Sequence, residues 1–179
     1  MRRRLLLAAA AAVPFGRLAQ AATPDLAGLT QRGQARFRFF GLHVYDVRLW
    51  SAAPVTAANW HELPLALEIE YARSLAGGEI ASRSLKEMRR QATITDAQAQ
   101  AWLAEMQAAF PDVKAGDRIT GSFEPGAAAQ FFVNGQPRRR VADGQFARLF
   151  FGIWLSPQTS EPALRGQLLG GGNGSGNGA

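Results

Sequence analysis

Hydrophobic and polar residues alternate in two stretches near the start of the chain. Residues 63–72 alternate cleanly, with four apolar or aromatic side chains on one face and two glutamates on the other, which predicts a strand. Residues 35–50 are rich in aromatic and β-branched side chains and alternate roughly. They predict either one long strand or two strands separated at Gly41.

The spacing then changes to a helical period. Residues 79–91 have a helical, basic pattern, and Thr95 begins a capping box for a second helix that Pro111 ends. Asp143 is placed to cap a third helix through Trp154, and residues 161–169 predict a short last one.

A run of short strands lies between the second and third helices. Residues 117–123 and 130–133 predict two strands joined through Pro125-Gly126. Asn134-Gly135 is a strong signal for a two-residue hairpin, after which residues 137–141 return. Strands, helices, strands and helices in this order predict an α+β domain in which helices cover one face of a largely antiparallel sheet.

The two ends of the chain differ in composition from this domain. Residues 1–21 combine three arginines, the apolar run Leu5–Val13 and the small-residue pattern Ala19-Gln20-Ala21, which predicts a signal peptide cleaved after Ala21. The domain is then residues 22–169, periplasmic or secreted, with no transmembrane segment in the mature chain. The general and the twin-arginine routes both stay open. Residues 170–179 contain only Gly, Asn, Ser and Ala and predict a disordered tail.

Charge and composition exclude several classes of function. Cleavage removes four of the 20 basic residues and none of the 14 acidic ones, so the net charge falls from +6 to +2. The basic run 138–140 has no interleaved aromatics, so we expect no nucleic-acid partner. The chain has no cysteine and only two histidines, far apart, which argues against a metal site. It also has no phosphate-binding glycine motif, and we expect no cofactor.

Several segments, taken in order, resemble the chalcone-isomerase-like family. They are Arg36 through Tyr45 to Leu49, Leu67–Arg73 (LEIEYAR), Gly116-Asp117, Pro125-Gly126, Val133-Asn134-Gly135, Phe146–Leu155 (FARLFFGIWL), Leu164-Arg165 and Leu168–Gly170. The resemblance implies an open-faced β-sandwich, in which a curved antiparallel sheet carries helices packed on one face and a cleft lies between the layers.

The resemblance also implies a site in that cleft. Members of the family cyclise chalcones or bind fatty acids, and both uses need an arginine that faces an oxyanion. Arg36 is the best match by its position, Arg32 and Arg38 compete with it, and Tyr45 supplies a phenol donor. Positions 36 and 45 point to opposite faces unless a bulge intervenes. The alternative is therefore that Arg36 and Arg38 face solvent and Tyr45 belongs to the core.

Two further residues are candidates for the same ligand-binding site. Tyr71 precedes the first helix, and Arg73 is either a second cation of the cleft or a partner of Glu68 or Glu70. Phe40 stands where the plant enzyme has a threonine, and residues 79–91 contain neither Tyr nor Asn to order a water.

These departures make non-catalytic binding of a hydrophobic, anionic small molecule, fatty-acid-like or aromatic, the first hypothesis. An intramolecular lyase of the chalcone–flavanone type is the alternative enzyme, with its catalytic residues unknown. A structural or interaction protein with an envelope protein partner is the third hypothesis.

Overall fold

Six antiparallel strands follow one another across a single sheet in chain order. The structure, a computed structural model, describes residues 26–170, so the predicted signal peptide and residues 171–179 lie outside it. The strands are β1 (Thr30–Phe39), β2 (Leu42–Ser51), β3 (Leu65–Tyr71), β4 (Arg118–Glu124), β5 (Ala128–Val133) and β6 (Gln136–Val141). The predicted α+β class and curved, open antiparallel sheet are confirmed.

Four helices cover one face of this sheet. They are α1 (Gly77–Met88), α2 (Asp96–Ala109), α3 (Gly144–Leu155) and α4 (Pro162–Gly170). The predicted caps form: Thr95 makes a full capping box with Gln98, and the Asp143 carboxylate accepts from the backbone N–H of Phe146 at 2.9 Å. Helix α3 packs on β4 and β5, α2 on β6, and α4 on β1, while α1 packs against α2 and α3.

The two faces of the sheet have opposite chemistry. The covered face, which meets the helices, carries the apolar partners of the register, such as Val47 opposite Ile69. The open face carries an ion-pair cluster. Arg48 lies 2.9 Å from Glu68 and 3.1 Å from Glu70, and Arg118 lies 3.0 Å from Glu70. Strict alternation in β2, β3 and β4 separates these two sets.

Aromatic rings fill much of the space between the sheet and the helices. Phe131 lies 5.1 Å from Phe110 and 5.0 Å from Phe150 between ring centroids, in edge-to-face arrangements. Phe123 and Phe151 extend the cluster at 5.0 Å. These rings are almost completely buried, so they supply much of the hydrophobic stabilisation of the domain.

Two hairpin loops of the sheet have two residues each. Phe40 and Gly41 connect β1 to β2 with φ of 47° and 78°, and Asn134 and Gly135 connect β5 to β6 with φ of 49° and 79°. Positive φ at both positions is the mark of a type I′ turn. Residues 35–50 therefore belong to two strands, which was one of the two alternatives.

The basic run of β6 is paired with acidic side chains. Arg139 donates to Glu105 of α2 at 2.6 Å, and Arg140 donates to Glu124 of β4 at 2.8 Å. The hydrogen bonds from these arginines hold the pKa of Glu105 and of Glu124 below its ordinary value. Arginines and Pro137 along this edge strand also discourage pairing with another chain.

None of the helices within residues 26–170 has the length and hydrophobicity needed to cross a membrane.

Candidate functional site

A cavity of about 400 Å³ lies between the covered face and the helices, at the end where β1 and β2 meet their turn. Most of its wall is apolar, and its apolar side chains include Phe37 of β1, Ile69 of β3, Ile80 of α1, Ile153 of α3 and Phe110, which directly follows α2. The volume lies within the range of cavities that hold small ligands.

Two tyrosines of adjacent strands bring hydroxyl groups to this wall. Tyr45 of β2 and Tyr71 of β3 are register partners, with ring centroids 6.2 Å apart. The indole N–H of Trp154 on α3 donates to the Tyr45 hydroxyl oxygen at 3.1 Å. Tyr71 is 4% exposed, and its hydroxyl has no hydrogen-bond partner among the described residues.

Burial keeps both phenols protonated. Desolvation raises the pKa of Tyr45 well above its ordinary value, against a smaller opposing effect of the Trp154 hydrogen bond. Burial likewise raises the pKa of Tyr71, with a further contribution from the neighbouring Tyr45. Both side chains are therefore neutral O–H donors at any physiological pH, which suits them to bind an anion.

Arg73 places a guanidinium on the same wall, two residues after Tyr71. Glu68 and Glu70, its alternative partners, are instead occupied by Arg48 and Arg118 on the open face. Within residues 26–170, no carboxylate oxygen lies within 4.0 Å of the Arg73 guanidinium. Arg73 therefore lies at the cavity without a carboxylate to neutralise it.

Other charged groups on the wall belong to helix α1 and to the segment before α4. Arg83 lies 2.8 Å from Glu87 one helical turn away, so these two charges compensate each other. Glu79 and Glu161 also line the cavity. The wall thus carries carboxylates as well as the Arg73 cation.

Arg36 lies outside this cavity, contrary to the position inferred from the resemblance. Its guanidinium is on the open face, where Nε donates to Asp46 at 2.8 Å, and this hydrogen bond raises the pKa of Arg36. A bulge at Val44 of β2 shifts the register of the hairpin, so that Phe37 lies opposite Tyr45 and Arg36 lies opposite Asp46 on the other face. The cross-strand register, and not parity along one continuous strand, therefore places Arg36 on the face away from Tyr45.

The two competing arginines also point away from the cavity wall. Arg32 donates through Nε to the Ser51 carbonyl at 3.0 Å, and Arg38 donates to the Gly41 carbonyl at 3.2 Å. Of the four residues predicted to bind the ligand, the structure brings Tyr45, Tyr71 and Arg73 together at the cavity and leaves Arg36 out.

Sequence reasoning missed Arg83 and Glu87 as parts of the cavity wall. Trp154 was counted among the aromatic residues that suit an apolar cleft, but nothing in the helical pattern distinguishes a core indole from one that contacts a tyrosine hydroxyl. A usable signal for Arg36 was present in residues 36–39, where arginine and phenylalanine alternate. With phenylalanine on the covered face, arginine must lie on the open one.

The fold and the cavity define an open-faced α+β sandwich with a ligand-sized space between its layers. The sequence profile of the chalcone isomerase-like family matches residues 17–170. The chain therefore belongs to the chalcone isomerase-like family.

Two comparisons with individual proteins agree with this assignment. An uncharacterized protein of Haemophilus influenzae (strain Rd) is 33% identical over 138 residues, which make up 77% of this chain and 66% of that protein. The chain thus spans just under two thirds of that relative. The crystal structure of an Arabidopsis thaliana fatty-acid binding protein superposes with a TM-score of 0.60 at 10% identity, over 80% of this chain and 87% of that one. At that identity the likeness shows a shared fold.

Proposed function

We propose that the chain binds a fatty-acid-like or aromatic carboxylic acid, with the hydrocarbon part in the cavity and the carboxylate at Arg73, Tyr71 and Tyr45. The observation that carries this proposal is the combination of an apolar wall with an unneutralised guanidinium and two protonated phenols. The fatty-acid binding neighbour of the same fold supports the choice of ligand class.

The residue types suit a carboxylate for specific reasons. A guanidinium stays charged at all relevant pH values and can donate two parallel hydrogen bonds to one carboxylate. The Tyr71 hydroxyl has no protein partner among the described residues, so its proton is free to be donated to a ligand oxygen in the cavity. Tyr45 accepts from Trp154 and keeps its own proton to donate.

The test is a binding titration of a long-chain fatty acid, together with native mass spectrometry of the purified protein. We expect Arg73→Ala to weaken binding by roughly ten- to a hundredfold, as for loss of a charged hydrogen bond. Arg36→Ala is the matched control, because Arg36 is an exposed arginine on the open face of the sheet, away from the cavity. An equal loss in both variants, or no loss in either, would contradict the assignment of the anion to Arg73.

The two tyrosines provide a second, independent test. Tyr45→Phe removes the acceptor of the buried Trp154 N–H, so we expect it to lower the free energy of unfolding by about 1–2 kcal/mol. Tyr71→Phe removes a hydroxyl that no described residue uses, so it should leave the unfolding free energy of the ligand-free protein unchanged and weaken fatty-acid binding several-fold. Equal effects of both variants on unfolding would show that Tyr71 has a structural partner instead.

The same samples separate the remaining hypotheses. Conversion of an added hydroxychalcone to its flavanone, lost in Tyr71→Phe, would favour the intramolecular lyase. The Ser84 hydroxyl of α1 donates to the Ile80 carbonyl at 2.8 Å, so the tyrosines are the better candidates to assist such a reaction. A protein that binds no acid and leaves the chalcone unchanged would favour the interaction with an envelope protein.

Export is part of the proposal. The predicted signal peptide would place the mature chain in the periplasm or outside the cell, where the acid would be bound. Intact-mass measurement of the protein recovered from the periplasm tests this step, since cleavage after Ala21 predicts a chain that starts at Ala22.

A further inference from the structure

The exposed large hydrophobic side chains of the described part of the chain are concentrated in one place. Phe39, Phe40 and Leu42 are 52%, 91% and 57% exposed, and no other large hydrophobic residue between 26 and 170 is comparably exposed. Phe40 lies in the turn between β1 and β2, and Phe39 and Leu42 flank that turn. We call residues 39–42 the hairpin tip.

Phe40 is an unfavourable residue for the turn in which it lies. Its φ of 47° lies in the left-handed region, which is strained for a residue with a bulky side chain and which asparagine and glycine adopt more readily. Its ring contacts the neighbouring Phe39 ring, with centroids 4.5 Å apart, and is otherwise largely exposed to solvent. The residue is therefore unfavourable for the backbone and makes little contact with the core.

The hairpin tip is continuous with the cavity. Phe37 and Phe39 point to the cavity side of β1, and both line the cavity wall. Phe39 is at once part of that wall and half exposed, so an apolar surface runs without interruption from the cavity to Phe40 and Leu42. Two exposed cations flank this surface, Arg38 next to the tip and Arg73 at the cavity.

We propose that the hairpin tip inserts into the interface of a lipid bilayer with anionic headgroups, and that the cavity exchanges its ligand with the bilayer there. The exchange part rests on the proposed function; the insertion part rests on the tip alone. Aromatic and aliphatic side chains next to arginines are the composition that partitions to such interfaces. The arginines provide the charge complementary to the headgroups.

A bilayer fits the tip better than a protein partner does. A stable protein interface buries roughly 1,200–2,000 Å² in total and needs a broad complementary patch. The tip offers a turn and its two flanking residues, and the adjoining part of the open face carries Arg36 and Asp46 as an exposed ion pair. Insertion into a lipid interface needs only a small apolar protrusion with basic neighbours.

The first experiment measures sedimentation of the full chain with vesicles of phosphatidylglycerol and phosphatidylcholine, free of fatty acid. Phe40→Asn should weaken vesicle binding by roughly tenfold or more, because it removes one large apolar side chain. Its stability should be equal or higher, since Asn-Gly is the preferred type I′ pair, so misfolding cannot explain the loss. The unmodified protein and the Phe40→Asn variant share residues 1–25, so any difference in their vesicle binding comes from the hairpin tip. Unchanged vesicle binding in Phe40→Asn overturns the proposal.

A second experiment locates the contact directly. The chain contains no cysteine, so Leu42→Cys provides a single site for a polarity-sensitive fluorophore. Ala108→Cys, at an exposed position of α2, is the matched control. We expect a blue shift on addition of anionic vesicles for the label at position 42 and none at position 108. Equal shifts at both positions, or none at either, contradict insertion of the tip.

The remaining outcomes separate the two proposals. Phe40→Asn should keep the affinity for detergent-solubilised fatty acid and slow its transfer from vesicles. If no acid binds while the label at position 42 still shifts, the proposed function fails and insertion stands. If the acid binds but vesicles do not, insertion fails and the proposed function stands. The protein could also form a dimer in the absence of vesicles. If Phe40→Asn dissociates that dimer, the proposal is overturned, and the tip instead contacts a second copy of the chain.

Discussion

The two type I′ turns of the sheet share one backbone conformation but carry different first residues. Asn134 and Phe40 have φ of 49° and 47°, and a glycine follows each of them. Asn134 suits the turn, because asparagine tolerates the left-handed region and its side chain makes local hydrogen bonds. Phe40 has neither property.

The surroundings of the two residues differ in the same way. The Asn134 amide oxygen accepts from the backbone N–H of Arg118 at 2.8 Å, and its nitrogen donates to Asp117 at 3.2 Å. The Phe40 side chain is 91% exposed. One turn therefore contains a residue that stabilises the hairpin, while the other contains a residue that the hairpin merely tolerates. Phe40 is accordingly best explained by something outside the domain.

The largest effect is expected when the favourable turn is given the unfavourable residue. Asn134→Phe should lower the free energy of unfolding by about 2–3 kcal/mol, from left-handed strain plus the loss of the acceptor for the Arg118 N–H. Chemical denaturation measures this change. Asn134→Gly is the control, since glycine adopts the same φ without strain and loses only the side-chain hydrogen bonds. Equal losses in both variants would mean that strain contributes nothing at this turn.

The reverse exchange should have a smaller effect of opposite sign. Phe40→Asn should raise the free energy of unfolding by about 0.5–1 kcal/mol, because relief of left-handed strain exceeds the lost contact with Phe39. Leu42→Ser makes the same tip more polar but lies outside the turn. Its free energy of unfolding should therefore stay within about 0.5 kcal/mol of that of the unmodified protein. A loss of stability in Phe40→Asn would show that the ring is part of the fold after all.

The same pair of turns shows what the sequence can predict. The turn at Asn134-Gly135 was predictable from the sequence because both residues favour the required φ. The predicted bounds of the strands on either side differ from the observed ones by at most a few residues. Gly41 left two alternatives, because Phe40 is a residue that favours strands over turns. A residue that is present for another reason obscures the local signal.

For the candidate site, position on a strand was predictable and ligand contact was not. The alternation of residues 65–71 places Tyr71 on the covered face, as observed. Arg36 was assigned to the cavity by resemblance, although the alternation with Phe37 puts it on the open face. Whether a covered residue meets another side chain or a cavity depends on how the helices pack, and no local pattern encodes that.

The smallest effect concerns the pH dependence of the Asn134 turn. The backbone N–H of Lys114 and the Asn134 side chain both donate to Asp117 and lower the pKa of its carboxyl. A lowered folded pKa means that the stabilisation is present above the unfolded pKa of ~3.9 and is lost as the pH falls through the folded value.

Asn134→Gly should therefore raise the folded pKa of Asp117 toward the unfolded one and flatten the fall in stability between about pH 5 and pH 3. NMR titration of the Asp117 carboxyl measures the pKa itself, and denaturation at both pH values measures the stability. Phe40→Asn is the control, because it changes the other two-residue turn, where the bridging hydrogen bond runs from Arg38 to the Gly41 carbonyl and involves no carboxylate. An unchanged Asp117 pKa in Asn134→Gly would assign the shift to the Lys114 N–H alone, and the two turns would then differ in strain but not in electrostatics.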